Sequence, residues 1–295
     1  MKNIRLEPSD CFGLCKKIPS QTWDFLTPCV CICLSGQEER YDRCAKEFCR
    51  VGLCRIVDFY RPTKHVLTDK EKKSGSKRAG IIGCFRSHQK VAKEVGLAHD
   101  GVTVFEDDVI FRDDCVRHEP AVRESFEYIK QNRPDFFVYF LGSFPFFPQF
   151  LVSKHTTRIR GALGAHALHY SSRACRVLAD MNIYSPMYRK VPLLYIIMGG
   201  INAQIVPEWN RGFIGFDAIV STKENYGYVP MIAFQCGTQC PATSQTTNPK
   251  GSNKLYQLAQ SLIFPTSAKI LEIWTLAIPI LFIVVLVGIV YARYL

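Results

Sequence analysis

Val104-Phe105-Glu106-Asp107-Asp108-Val109-Ile110 sets three consecutive carboxylates between apolar residues. Like charges this close repel one another and resist burial unless something neutralises them. Two readings follow: a solvated strand end, or a site for a cation and an anionic ligand. Read as part of one strand over residues 102–111, the triplet has a facing order. Side chains two apart point the same way, so Glu106 and Asp108 point together and Asp107 points opposite. Two carboxylates on one side of a strand end suit a hard cation such as Mn²⁺ or Mg²⁺. Such an ion can bridge the phosphates of a nucleotide and neutralise a departing diphosphate.

The surrounding pattern alternates short apolar runs with amphipathic stretches. Residues 30–34 read as a buried strand, Ser35-Gly36 as a turn, and 37–51 as a helix ended by Gly52. A second strand is expected at 55–59 and a helix at 83–95, where Cys84, His88, Val91 and Val95 share one face. Beyond the acids, a helix at 116–130, a strand at 136–141, an extended stretch at 156–165 and a helix at 172–181 follow. Residues 184–211 are hard to read, with strands possible at 191–198 and 201–206, and a last short strand is expected at 231–234. Strands apolar throughout, separated by helices, imply an α/β fold with a mostly parallel sheet flanked by helices. In such sheets ligands bind beyond the carboxyl ends of strands, which puts Leu34, Ser35 and the acids in one crevice.

Composition narrows the classes. The chain has 295 residues, is 47% hydrophobic and carries a net charge of +11, which favours an anionic partner: a nucleotide, a nucleic acid or a membrane surface. Nucleic acid is disfavoured, because the aromatics lie in apolar strands or the Phe144–Phe150 loop and are not interleaved with Lys and Arg. The thirteen cysteines are odd in number and form no Cys-x-x-Cys pair. Cys29, Cys31 and Cys33 alternate along a strand, so they read as small buried hydrophobes, and the setting reads as reducing. From Ile273 to Tyr291 no residue is charged, and these nineteen residues span about 28 Å as a helix, close to a bilayer's hydrocarbon thickness. Trp274 and Tyr291 lie near its ends, where amphipathic rings favour the interface. The expectation is a single C-terminal transmembrane tail anchor at 271–292. An irregular segment at 1–27, a folded domain at 28–245 on the cytosolic side and a linker at 246–270 complete the organisation.

The block Gly83-Cys84-Phe85-Arg86-Ser87-His88, followed by a strand ending in Glu106-Asp107-Asp108, resembles glycosyltransferase family 25. Ile32-Cys33-Leu34 with Glu39-Arg40, Gly164-Ala165-His166-Ala167 before a helix, and Phe216-Asp217-Ala218 before Val229-Pro230 resemble other parts of that family. The likeness covers roughly residues 30 to 245 and is strongest at 83–111. The family has Asn where this chain has Cys33, and its tyrosine stands replaced by Leu168. The resemblance implies a GT-A-type nucleotide-sugar transferase domain, a UDP-sugar donor, a metal cofactor (Mn²⁺ or Mg²⁺) and inversion at the sugar carbon. The acceptor would be a glycan, lipid-linked or protein hydroxyl, and the sugar a hexose, galactose or glucose.

Carried over residue by residue, the likeness makes Asp108 the direct metal ligand, with Glu106 and His166 beside it. Asp107 would orient the donor sugar, and Asp217 would act as acceptor-side base or sugar contact. Leu34, Ser35, Arg40, Arg86, Ser87, His88 and Glu106 become donor contacts. The plainer readings stand next to these. His88 and His166 suit packed histidines, while Arg40 and Arg86 suit solvated helix faces. Ser87 and His88 point about 100° apart on a helix, so they are not a nucleophile–base pair. A degenerate, catalytically inactive membrane-tethered scaffold of the same fold is the alternative function.

Overall fold

The computed structural model describes residues 6–8, 22–69, 79–145, 150–159, 162–181 and 224–236. Asp217, the stretch at 184–211, the linker and the apolar run at 273–291 lie outside the described residues. Among the described residues no helix is long and apolar enough to cross a membrane.

In chain order the elements are β1 (Leu6–Pro8), β2 (Cys29–Ile32), α1 (Glu38–Val51), β3 (Val57–Tyr60) and α2 (Ala79–Val91). Then come β4 (Gly101–Glu106), β5 (Val109–Phe111), α3 (Cys115–Asn132), β6 (Val138–Pro145), β7 (Phe150–Ser153) and β8 (Thr156–Ile159). β9 (Ala162–Ser171), α4 (Ser172–Asp180), β10 (Asn225–Tyr228) and β11 (Ala233–Gln235) complete the set. Among the described residues nine strands form one sheet in the order β1-β3-β2-β4-β9-β6-β10-β8-β7, and β5 pairs with β11 in a small second sheet. The sheet is mixed. β3, β2 and β4 run parallel, as do β6 and β10, while β9 lies antiparallel between β4 and β6.

Period-two alternation sorts the strand residues onto two faces, each covered by helices. On one face Cys31, Phe59, Phe105 and Tyr139 pack with Phe48 of α1 and Phe126 of α3. On the other, Val30, Val104, Leu168 and Tyr170 pack with Phe85 of α2 and Leu178 of α4. Phe48 and Phe126 are almost fully buried, so truncating either to Ala removes about 3–5 kcal/mol. The alternation carries Cys29, Cys31 and Cys33 to the α1 face, where the Cys31 and Cys44 sulfurs stand 3.5 Å apart. Not every cysteine is a free small hydrophobe: Cys49, Cys54 and Cys236 are disulfide-bonded.

One expectation about the acid strand is corrected. Residues 102–111 are not one strand: β4 stops at Glu106, Asp107 and Asp108 form a turn, and β5 restarts at Val109. β5 then leaves the main sheet to pair with β11, and the Cys236 N–H donates to the Asp108 carbonyl at 2.7 Å. Because the extended backbone ends at Glu106, alternation holds for Glu106 and Asp107 but does not align Asp108 with Glu106.

Candidate functional site

Three parallel strands set the switch point. β2 leads through α1 to β3 on one side, and β3 leads through α2 to β4 on the other side. The chain thus reverses its direction of progress between β2 and β4, and open α/β sheets bind ligands beyond the carboxyl ends of strands at such a point. Ile32 pairs with Glu106 in register, so the next residues out are Cys33-Leu34-Ser35 on one strand and Asp107-Asp108 on the other. Leu34 is half-buried, and Ser35 and Gly36 are exposed at the rim. Gly36 turns the chain at a φ of +78°, with open space where a Cβ would stand. The turn is tied to the β3 exit: the Ser35 N–H donates to Pro62 O at 2.9 Å and its hydroxyl to Arg61 O at 2.8 Å. Arg61 in turn pairs through both terminal nitrogens with Glu38, at 2.9 and 2.7 Å, and lies over the Tyr41 ring.

Each acid of the triplet meets a different environment. Glu106 faces α2, where its Oε1 is 3.2 Å from His88 Nε2 and accepts from the Cys84 thiol at 3.3 Å. The Tyr170 hydroxyl holds the other ring nitrogen of His88 at 2.8 Å. Burial opposes the Glu106 charge, but the contacts with His88 and Cys84 outweigh it and hold the carboxyl below its ordinary range.

Asp107 faces α1. It is buried against Arg40, which donates at 2.7 Å, while the Arg43 guanidinium donates to the Asp107 carbonyl at 2.8 Å. Burial pushes the Asp107 carboxyl up to about 6 against the pull of Arg40. Asp108 is half-buried at the turn.

The remaining expected residues divide. Ser87 turns back on its own helix and donates to Gly83 O at 2.8 Å, so its hydroxyl is used within α2. Arg86 is exposed on that helix. His166 is buried on β9, with Nε2 3.5 Å from Ala233 O and no hydrogen-bond partner at Nδ1. Burial pushes its pKa down to about 4, so it is neutral at pH 7. Its position depends on Gly142 of β6, where a Cβ would stand 1.9 Å from Ala233 O and 2.8 Å from His166 Nε2. The fold therefore gathers Leu34, Ser35, Arg40, His88, Glu106, Asp107, Asp108 and His166 around one end of the sheet.

Three contributors escape a site reading of the sequence: Cys84, Tyr170 and Arg43. Cys84 and His88 are four apart on a helix, a spacing that signals a shared face. Tyr170 and Arg43 carry no local signal, since their roles come from strand pairing and helix packing. As a metal site the acids fit in part. Asp108 stands at the turn, and Glu106 is engaged by a thiol and an imidazole, donors softer than Mn²⁺ or Mg²⁺ favours. No family model matches the chain, and no curated protein matches it at a significant level.

Proposed function

We propose that the chain is a metal-dependent glycosyltransferase that moves a hexose from a UDP-sugar to a hydroxyl acceptor on a glycan, lipid-linked glycan or protein. The observation that carries this reading is the acidic turn at the switch point. In open α/β sheets ligands bind beyond the carboxyl ends of the strands there, and Asp107-Asp108 follows β4 where Cys33-Leu34-Ser35 follows β2. The resemblance of residues 83–111 to glycosyltransferase family 25 supports the same reading.

In this reading Leu34 and Ser35 border the nucleoside. Asp108 would be the principal ligand of a Mn²⁺ or Mg²⁺ ion, which would supply charge neutralisation for the departing diphosphate. Arg40 acts through Asp107, fixing the acid turn from beneath, because its guanidinium is committed to that carboxylate. Release of UDP from a panel of UDP-sugars, with and without Mn²⁺, tests the proposal. Metal-dependent release that disappears in Asp108→Ala is the expected result, and full turnover in that variant would sink the metal assignment.

A second reading, an inactive membrane-tethered scaffold, rests on the engagement of Glu106 and Asp107 by protein groups. Calorimetry separates the two: a folded domain that takes up no UDP is the scaffold.

The location that goes with the transferase is a C-terminal tail anchor with the domain on the cytosolic side. The disulfide-bonded Cys49, Cys54 and Cys236 weigh against that side, because reducing compartments keep thiols reduced. Protease protection of the full chain in sealed microsomes decides the orientation. A digested domain supports the cytosolic side, and a protected one overturns it.

A further inference from the structure

Glu106 carries more than a hydrogen bond. Cys84, His88 and Glu106 each direct one ligand atom into the same small volume, and all three atoms lie within 4.8 Å of one another. Zn²⁺ binds Cys sulfur at about 2.3 Å and His nitrogen or carboxylate oxygen at about 2.0–2.2 Å, so the edges of its tetrahedron are roughly 3.3–3.7 Å long, those to sulfur the longest. The two edges in the structure, 3.3 Å from sulfur to Oε1 and 3.2 Å from Nε2 to Oε1, come within a few tenths of an ångström of that scale.

The backbone explains why the three meet. Cys84 and His88 are one helical turn apart on α2, and Glu106 is the last residue of β4, on the sheet face that α2 covers. His88 is completely buried, and Tyr170 grips its Nδ1 at 2.8 Å. A hydrogen bond on the distal nitrogen is how a ligating histidine is commonly oriented.

A second observation points to the same place. β9 pairs antiparallel with β4, with Phe105 opposite Ala167. Continuing that register by one residue sets His166 across from Glu106. His166 is buried, and its Nδ1 has no hydrogen-bond partner. A buried imidazole nitrogen without a partner is costly unless something else satisfies it.

We propose that Cys84, His88 and Glu106 form a transition-metal site of the Zn²⁺ class beside the acid turn, with His166 as the candidate fourth ligand and Tyr170 as the positioning residue for His88. The donor set of one sulfur, one or two imidazoles and one carboxylate is borderline-soft. It selects Zn²⁺ or Co²⁺ over Mn²⁺ and Mg²⁺, which favour oxygen ligands. Binding releases the Cys84 thiol proton and involves no oxidation or reduction. The ion would tie α2 to the end of β4 and fix the start of the acid turn. The site is independent of the transferase reading and distinct from a cation held at Asp108.

The test uses the full-length chain, purified in detergent after expression in medium containing zinc, manganese and magnesium. Metal content is measured by mass spectrometry. Wild type and Asp108→Ala are expected to retain stoichiometric zinc, and Cys84→Ser to lose it. Exchange for Co²⁺ should give a thiolate-to-cobalt charge-transfer absorption that is absent in Cys84→Ser. Tyr170→Phe should bind zinc about 10–100-fold more weakly. Folded wild-type protein with little zinc, or zinc and absorption unchanged by Cys84→Ser, overturns the proposal. It would leave a metal-free cluster in which thiol and imidazole donate to Glu106. If Cys84→Ser does not fold, Tyr170→Phe decides: zinc affinity equal to wild type overturns the site. Absence of UDP release bears on none of these readouts, so the two proposals fail separately.

Discussion

Glu106 and Asp107 are adjacent carboxylates with opposite fates. The extended backbone turns Glu106 toward α2 and Asp107 toward α1, and each helix answers differently. On the α2 side a thiol and a buried histidine hold Glu106 below its ordinary pKa. On the α1 side a permanently charged arginine faces Asp107, yet burial wins and its pKa is raised to about 6. Burial opposes the charge of both carboxylates, and what differs is the compensation: the thiol and imidazole outweigh it at Glu106, and Arg40 does not at Asp107. The α1 side is an anchor. The α2 side has the composition of a ligand site.

The same division recurs one strand away. On β9, His169 faces the α3 side and packs against Phe126 and Phe136, while neighbouring Tyr170 faces α2 and holds His88. The Thr103 hydroxyl donates to Leu26 O at 2.6 Å, so its oxygen accepts from His169 Nδ1 at 3.0 Å, and His169 stays neutral. Burial pushes its pKa down from 6.5 to about 3.

The comparison can be broken most severely at Arg40. Arg40→Met leaves Asp107 buried without its cation and should cost about 3–5 kcal/mol in denaturant unfolding. The double variant with Asp107→Asn should recover most of that loss, and a double variant as unstable as Arg40→Met would show that the arginine packs and does not pair. On the transferase reading Asp108→Ala comes next: UDP release is expected to fall by roughly 10²-fold or more, since the variant loses a ligand of the ion that would neutralise the departing diphosphate. Its fold should persist, read by circular dichroism, because Asp108 sits at a turn and not within either core.

A pH series sharpens the contrast on β9. The unfolded chain protonates His169 near 6.5 and the folded chain only near 3, so stability should fall as pH drops through that window. His169 contributes at most ~1.4 kcal/mol per pH unit to that slope, and His169→Phe should remove its share, leaving that of His166. The smallest effect is expected at the α4 N-cap, where the Ser171 hydroxyl accepts from Ala174 N at 3.2 Å. Ser171→Ala should lower stability by about 1 kcal/mol, measured by thermal unfolding, and should leave both faces of the sheet intact.

Much of the fold was legible because burial imposes periodicity. The run at 30–34, the helix ended by Gly52 and the helix starting at Ser172 stand close to where their patterns place them. Cys29, Cys31 and Cys33 share a face for the same reason. β10 was not expected. Asn225-Tyr226-Gly227-Tyr228 has no apolar run, and its strand state follows from its place between β6 and β8. The break at Asp107-Asp108 was hidden too, since apolar residues on both sides continue the strand pattern. What breaks it is the pairing of β5 with β11, more than a hundred residues away in sequence.

By itself, the sequence determined that carboxylates would cluster at a strand end in a covered α/β sheet. It also determined that Glu106 and Asp107 would face opposite ways, because alternation is a local property of extended backbone. What each of them meets is set by packing between distant elements. Arg40, Cys84, His88, Tyr170 and His166 come from separate elements, and helix packing and strand register bring them to the acids. Those long-range contacts depend on how the two faces of the sheet are covered, which no local pattern encodes.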